Sequence, residues 1–233
     1  MSRLAILGYG KMGVRIEAFA RERGHEILVA TNATPEDLPP EVDVVINFST
    51  PDSAFDLIRL GLSKGIPVIS GTTGWLDRLS EAEALAAQHQ TGFLYASNFS
   101  LGVHLFFDLN RKLAALMGNH PQYKVSMEEV HHTEKLDAPS GTAITLAEPH
   151  IEWRKLSGYA ATEKDGFLPI TSLREEEVPG THSVFYTSAI DQIAITHQAF
   201  SRDGFALGAL IAAEWIIGKK GIFSLSDVLN LNV

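Results

Sequence analysis

The chain has 233 residues, which at roughly 100–200 residues per domain allows one large domain or two small ones and a core that needs no disulfides. Cysteine is absent, which excludes a disulfide framework, a thiolate metal site and a cysteine nucleophile. Nineteen basic against 28 acidic side chains give a formal net charge of −9, which argues against nucleic acid or an anionic membrane as partner, because both need a basic surface.

A hydrophobic share of 45% with 20% charged residues is that of a soluble globular protein. Leu4 to Leu7 is too short for the apolar core of a signal peptide. The longest apolar stretch, Ala206 to Ile217, is interrupted by Glu214 and falls short of the roughly 20 residues a membrane span needs. No membrane partner is expected, and the expected location is cytoplasmic.

The first hundred residues alternate in type. Leu4–Leu7 reads as a buried strand, Lys11–Arg23 as a helix stopped by Gly24, Ile27–Val29 and Val42–Phe48 as strands, and Pro51–Ser63 as a helix closed by Lys64-Gly65. Pro67–Ser70 reads as a strand, Leu76–Gln90 as a helix and Phe93–Ala96 as a strand. This rhythm predicts an α/β fold with a Rossmann-like, doubly wound parallel sheet. After Asn98 the pattern changes. A helix is expected over Val103–Met117, a strand over Tyr123–Val130 and a short helix over Ala143–Ala147, which Pro149 would end. From Phe167 the pattern is mainly β, with neighbouring strands over Thr181–Thr187 and Gln192–Ala199. Loops are expected over Ala160–Gly166 and Arg174–Pro179, then helices over Phe205–Ile217 and near Ser226–Leu229. The reading is a nucleotide domain followed by a smaller α+β domain.

Gly8-Tyr9-Gly10-Lys11-Met12-Gly13 fits G-x-G-x-x-G between a strand and a helix, the context that gives the pattern its meaning. The first glycine permits a tight turn, the second lets the backbone approach a pyrophosphate, and the third lets helix and strand pack closely. The helix start offers unpaired N–H groups and a positive dipole to the phosphates. An acid for the ribose is expected roughly 20 residues on; the second strand instead ends Val29-Ala30-Thr31-Asn32. Lys11 suits a 2′-phosphate or plain solvent equally, so NADH and NADPH both remain open. Gly71-Thr72-Thr73-Gly74 and Ser97-Asn98-Phe99-Ser100 follow expected strand ends, where open α/β sheets bind ligands, or are ordinary turns.

The segment from Glu129 to Ala143 carries the chemistry. His131 and His132 at a strand end point to opposite sides, and Lys135 returns to the same cleft if the chain turns. Histidine suits general acid work near neutrality. Ser140-Gly141-Thr142 opens a helix and is ready for an anion. A zinc site is not expected, because adjacent histidines lack i, i+4 spacing and no cysteine can help. A serine triad is not expected either, since Ser140 lacks a G-x-S-x-G elbow.

The run His131-His132-x-x-Lys135-x-Asp137-Ala138-Pro139-Ser140-Gly141-Thr142-Ala143 resembles the signature of the 4-hydroxy-tetrahydrodipicolinate reductase (dihydrodipicolinate reductase) family, which serves diaminopimelate and lysine biosynthesis. The resemblance extends to the glycine loop, Gly71–Gly74, Ala96–Ser100, Ser201-Arg202 and Phe205-Ala206. It implies a nicotinamide coenzyme, NADPH or NADH, that reduces a cyclic unsaturated dicarboxylate. By resemblance His131 is the acid/base histidine and Lys135 a proton donor. His132, Ser140, Gly141 and Thr142 hold the substrate. Gly8, Tyr9, Gly10, Lys11, Met12 and Gly13, with Asn32, Gly71, Thr72, Thr73, Ala96, Ser97, Asn98 and Phe99, hold the coenzyme. It further implies a dinucleotide-binding domain of residues 1–99 plus 203–233, a substrate-binding and oligomerisation domain of residues 100–202, and a homotetramer. The departures are a glycine loop one residue shorter than the family's common form, the missing acid near Asn32, and a stretch Ile151–Pro179 without the expected arginine- and glycine-rich pattern. The glycine loop alone would also suit another Rossmann-fold dehydrogenase acting on a small carboxylate.

Overall fold

Strand β1 (Arg3–Leu7) shows why the first strands are almost wholly apolar: both of its faces are covered. Leu4 and Ile6 point into one core with Ile16 and Ala20 of helix α1 (Lys11–Glu22). Ala5 and Leu7 point into another with Phe55, Leu57 and Ile58 of α2 (Pro51–Ser63). The computed structural model describes residues 1–231; the last two residues of the expected first domain lie outside them.

Five further strands complete a parallel sheet: β2 (Glu26–Thr31), β3 (Val44–Asn47), β4 (Val68–Ser70), β5 (Gly92–Tyr95) and β11 (Gly221–Phe223), in the order β11-β5-β4-β3-β1-β2. A 3-10 turn over Leu76–Arg78 leads into α3 (Leu79–Gln88), where the sequence predicts one continuous helix. Helix α6 (Asp203–Ile216) supplies Ala206, Ala209, Leu210 and Ala213 to the α1 side of the sheet, and α7 (Leu225–Val228) closes the described chain. The strand order reverses between β1 and β3, the switch point at which doubly wound sheets bind ligands.

This sheet and its helices form one compact unit, residues 1–101 with 203 onward; residues 102–202 form a second. The second unit holds a mixed sheet in the order β10-β9-β6-β8-β7. Its strands are β6 (Lys124–His131), β7 (Tyr159–Ala160), β8 (Leu168–Arg174), β9 (Gly180–Thr187) and β10 (Gln192–Ala199). Alternate residues of β6, β8 and β9 (Val125, Met127, Leu168, Ile170, Val184, Tyr186) pack under α4 (Leu101–Met117) and α5 (Gly141–Arg154).

Two departures from the sequence reading have simple causes. Strands β7 and β11 have two and three residues, too short for any periodicity. Helix α5 does not end at Pro149 but continues to Arg154. Proline removes one intrahelical N–H, while the turn beyond it is anchored by the fully enclosed His150. That imidazole lies 2.8 Å from Asn110 Oδ1 through Nε2 and 3.1 Å from the Tyr186 hydroxyl through Nδ1. Asn110 in turn donates to the Leu146 carbonyl, so Nε2 carries the proton, Tyr186 donates to Nδ1, and the chain of bonds is complete for a neutral ring.

Candidate active site

In the first unit the glycine loop joins β1 to α1. Gly8 has φ +98°, and a Cβ there would lie 2.1 Å from the Phe48 carbonyl oxygen, so both its dihedral and its contacts demand glycine. A Cβ at Gly13 would lie 2.5 Å from the Gly8 oxygen, which is the close helix–loop packing expected of the third glycine. At Gly10, by contrast, nothing lies within 4 Å of the Cβ position, and this N-cap carries no side-chain cap. The first-turn N–H groups of α1 therefore face an open surface at the positive end of the helix. Beside it a cleft of about 210 Å³ at the ends of β3 and β4 is lined by Met12, Phe48, Ser49, Gly71, Thr72 and Thr73. This geometry fits a dinucleotide pyrophosphate.

The remaining expected coenzyme residues divide by exposure. Asn32 donates from Nδ2 to the Tyr9 carbonyl at 3.2 Å, which ties the end of β2 to the glycine loop, and the Tyr9 hydroxyl bonds Glu17. Lys11, Thr73 and Ser97 are exposed. Thr72 is buried, and its hydroxyl accepts from the Ser49 N–H at 2.8 Å. Ala96 is half-buried and donates its N–H to Ser70. Asn98 accepts from the Ser100 N–H at 2.8 Å. Phe99 turns its ring into the core, 5.5 Å from Phe48, so its backbone is the part left for a ligand.

In the second unit the strand alternation separates the paired histidines as expected. His132 is half-exposed and lines a cleft of about 500 Å³ with Thr133, Glu134, Glu176, Glu177 and Arg202. Three carboxylates face two basic groups there, so this cleft alone does not attract an anion. The anion-ready surface is the start of α5. Gly141 is exposed, with open space at its Cβ position, and Thr142 is half-buried beside it. Ser140 is not available to a ligand: it is buried, its hydroxyl accepts from Ala143 N–H at 3.2 Å as the helix cap, and its own N–H goes to Glu129.

His131 is held inward, on the face of β6 that also carries Val125, Met127 and Glu129. Strand register builds its surroundings. Glu129 pairs with Ser172 on β8 and with His182 on β9. Its Oε1 accepts from Ser172 Oγ at 2.8 Å and from Ser140 N–H at 3.0 Å. Its Oε2 lies 3.5 Å from His131 Nδ1 and 3.6 Å from His182 Nε2. Burial pushes this carboxyl up, but the His182 imidazole beside Oε2 and the donors on Ser140 and Ser172 outweigh it and hold Glu129 at about 2. Burial, and then His182, push His131 down to about 4; Glu129 opposes them, while Lys135 and Arg174 add to the fall.

Sequence reasoning missed Glu129 and His182. Glu129, His131 and His182 bring three ligand atoms within 4.8 Å of one another. The shortage of donors argued from His131 and His132 is therefore corrected, because strand pairing brings a distant histidine and a carboxylate to His131.

Lys135 lies on the turn after β6, three-quarters covered, with Nζ 2.8 Å from Asp137. It does not line the His132 cleft. The turn is clamped by Arg174 at the end of β8, whose guanidinium donates to the carbonyls of Lys135 at 3.1 Å and Asp137 at 2.7 Å. Arg174→Ala removes both bonds. At about 1 kcal/mol each, amide exchange over residues 132–139 is expected to quicken about 30-fold by mass spectrometry, with the rest of the second unit unchanged.

Comparison with known proteins bears on both halves of the chain. Residues 2–99 match the family described as dihydrodipicolinate reductase, N-terminus, and residues 102–229 match dihydrodipicolinate reductase, C-terminus. A protein of Christiangramia forsetii named 4-hydroxy-tetrahydrodipicolinate reductase is 50% identical over 97% of each chain. One of Lawsonia intracellularis with the same name is 32% identical over 98% of this chain and 99% of its own. Among solved structures, the dipicolinate-bound dihydrodipicolinate reductase of Paenisporosarcina sp. TG-14 aligns with a TM-score of 0.73 at 24% identity, over 96% of this chain and 97% of that one, and shares its fold. With both halves matched and a half-identical relative spanning nearly the whole length, the chain belongs to the dihydrodipicolinate reductase family.

Proposed function

We propose that the chain converts 4-hydroxy-tetrahydrodipicolinate to tetrahydrodipicolinate with NAD(P)H, the 4-hydroxyl leaving as water to give dihydrodipicolinate, whose ring then takes up one hydride and one proton, a step of diaminopimelate and lysine biosynthesis. The observation that carries this reading is the segment 131–142. With Glu129 two residues before it, it sets a histidine against a buried carboxylate, a lysine on a clamped turn and an open helix start within fourteen residues of chain.

The bound coenzyme supplies the hydride, which adds to one carbon of the substrate's unsaturated ring. The first-turn N–H groups of α1, framed by Gly8, Gly10 and Gly13, hold its pyrophosphate. Asn32 and Lys11 would hold its ribose half, and Gly71–Thr73 with Ala96–Phe99 its nicotinamide half. In the second unit the N–H groups of Gly141 and Thr142 hold a substrate carboxylate at the positive end of α5, and His132 adds a donor. Lys135 and His131 deliver a proton to the carbon next to the hydride acceptor. Ser140, read from the sequence as a direct contact, acts instead by shaping the helix start.

Strand β2 ends Val29-Ala30-Thr31 without a carboxylate, which leaves NADH and NADPH both open. The comparison of NADH with NADPH at equal concentration sets coenzyme preference, and a tenfold ratio corresponds to about 1.4 kcal/mol. The assay is loss of NAD(P)H absorbance on adding the dihydrodipicolinate precursor to purified protein. Absence of turnover with either coenzyme overturns the reading. No helix of the described residues is long and apolar enough to cross a membrane, in keeping with a cytoplasmic enzyme. The edge strand β10, with Ile193 well exposed, supports assembly as a homotetramer. Light scattering tests this against a subunit mass of 25.4 kDa.

A further inference from the structure

We infer that Glu129 is a positioning residue for His131, a buried carboxylate that fixes which imidazole nitrogen carries the proton and leaves Nε2 to exchange it. The inference rests on the function proposed for His131 and adds to it a group that touches neither substrate nor coenzyme.

Three observations carry it. First, Glu129 is fully buried on a strand whose neighbours on both sides supply polar partners in register, Ser172 from β8 and His182 from β9. Two of its partners, Ser172 Oγ and Ser140 N–H, fix Oε1 and therefore the plane of the carboxylate. A buried carboxylate held in this way has one free direction, and it points between the two imidazoles. Second, among the described residues Glu129 Oε2 and His131 Nδ1 are buried with no hydrogen-bond partner, 3.5 Å apart. A buried donor or acceptor left unmade costs about 1–3 kcal/mol, so each atom answers the need of the other. A contraction of a few tenths of an ångström makes the bond, and catalytic hydrogen bonds commonly tighten when ligands bind. Third, the other nitrogen of His131 faces Gly180, where a Cβ would stand 3.2 Å from Nε2. A side chain at 180 would crowd the nitrogen that has to reach a proton acceptor.

The arrangement is that of a carboxylate holding a general acid–base histidine by Nδ1–H, which sets its tautomer and orientation. The charged groups around His131 come from every element packed on it: His182 on β9, Arg174 on β8, Lys135 on the following turn and Glu129 on its own strand. Of these only Glu129 favours the imidazolium, so it is the group that lets His131 carry a proton during turnover. Because Ser140 N–H also ends on Glu129, the same carboxylate ties His131 to the start of α5, where the substrate carboxylate is proposed to bind.

The test is Glu129→Gln, which keeps shape and removes charge. The expected result is a fall in kcat of roughly 100-fold, with the coenzyme KM unchanged and the alkaline limb of the pH–rate profile, which reports loss of the proton from His131, displaced to lower pH. In a His131→Gln background the same change is expected to cost less than about twofold, since paired groups are not additive. Additive losses, or an unmoved pH profile, overturn the inference. If Glu129→Gln fails to fold, Ser172→Ala loosens the same carboxylate through Oε1 and is expected to show the same displaced profile at smaller amplitude. Nitrogen-15 spectra of the wild-type imidazoles read the tautomer without any turnover, so this arm stands apart from the proposed reaction. His131 protonated at Nδ1 supports the inference, and protonation at Nε2 alone overturns it. Elemental analysis gives a last check: a divalent metal held stoichiometrically, and lost in Glu129→Gln, would make these residues ligands and overturn the positioning role.

Discussion

His131→Gln and Lys135→Ala are each expected to lower kcat by about 10²- to 10³-fold while leaving coenzyme KM within about twofold. The hydride comes from the coenzyme, whose proposed contacts lie in the first unit, so binding there is untouched by either change. On the proposed roles, what each variant loses is delivery of a proton to the neighbouring carbon. That interaction exists only in the transition state and so appears in kcat rather than in uniform binding. Lys135 suits the task because it is three-quarters covered, with Asp137 at 2.8 Å as its partner and Arg174 fixing the backbone beneath it. His131 suits it through the carboxylate of Glu129, 3.5 Å from its Nδ1. The double variant is expected to lose less than the product of the single losses, because two groups serving one proton act as a unit. The measurement is the initial rate of NAD(P)H consumption with each variant at saturating substrate. A wild-type kcat in both single variants contradicts the assignment.

The parts of this protein that can be read from sequence are those in which local pattern and burial agree. Strands β1, β3 and β4 announce themselves as apolar runs bounded by glycine, proline or polar turns, because helices cover both faces of the sheet. Helix α2 could be bounded to the residue, with Pro51 opening it and Lys64-Gly65 closing it. Strand β11 could not: three residues carry no period, and what holds them is pairing with β5 across more than a hundred residues of sequence. Helix α5 misled for the opposite reason. Its proline is a strong local signal, and the polar chain from His150 to Asn110 and Tyr186, drawn from α4 and β9, overrides it.

The same division runs through the candidate site. His131, His132, Lys135, Gly141 and Thr142 lie on one short segment and are visible together in the sequence. Glu129, Ser172, Arg174 and His182 meet them only through the register of β6 with β8 and β9, which no window of sequence contains. One signal was present. Glu129 stands two residues before His131, so any strand that buries the histidine also buries the carboxylate on the same face. A buried Glu demands donors, and that demand is the clue that further residues converge there.

Unfolding free energy is expected to fall in two stages as pH drops from 7 to 2. His150 and His131 both lie at about 4 in the fold, against an ordinary 6.5, because burial disfavours their charged forms. A histidine depressed in the fold takes up its proton more readily when unfolded, so its contribution is fully present above 6.5 and is lost as pH falls from 6.5 toward 4. At pH 5 the loss is about 2 kcal/mol per histidine by that linkage, a large share of the 5–15 kcal/mol that holds a typical domain. Glu129, at about 2 in the fold against 4.5, acts in the next window: its contribution is intact above 4.5 and lost as pH falls from there toward 2. His150 dominates the first stage, since its ring is 1% exposed and both nitrogens are already bonded in the neutral form, so that protonating Nδ1 breaks the bond from Tyr186. Urea titrations at pH 7 and pH 5 measure the first stage. His150→Gln is expected to be less stable at pH 7 but to lose about 2 kcal/mol less than the wild type between the two. An equal pH dependence in both proteins would mean that His150 is protonated in the fold, and the neutral chain through Asn110 and Tyr186 would have to be abandoned.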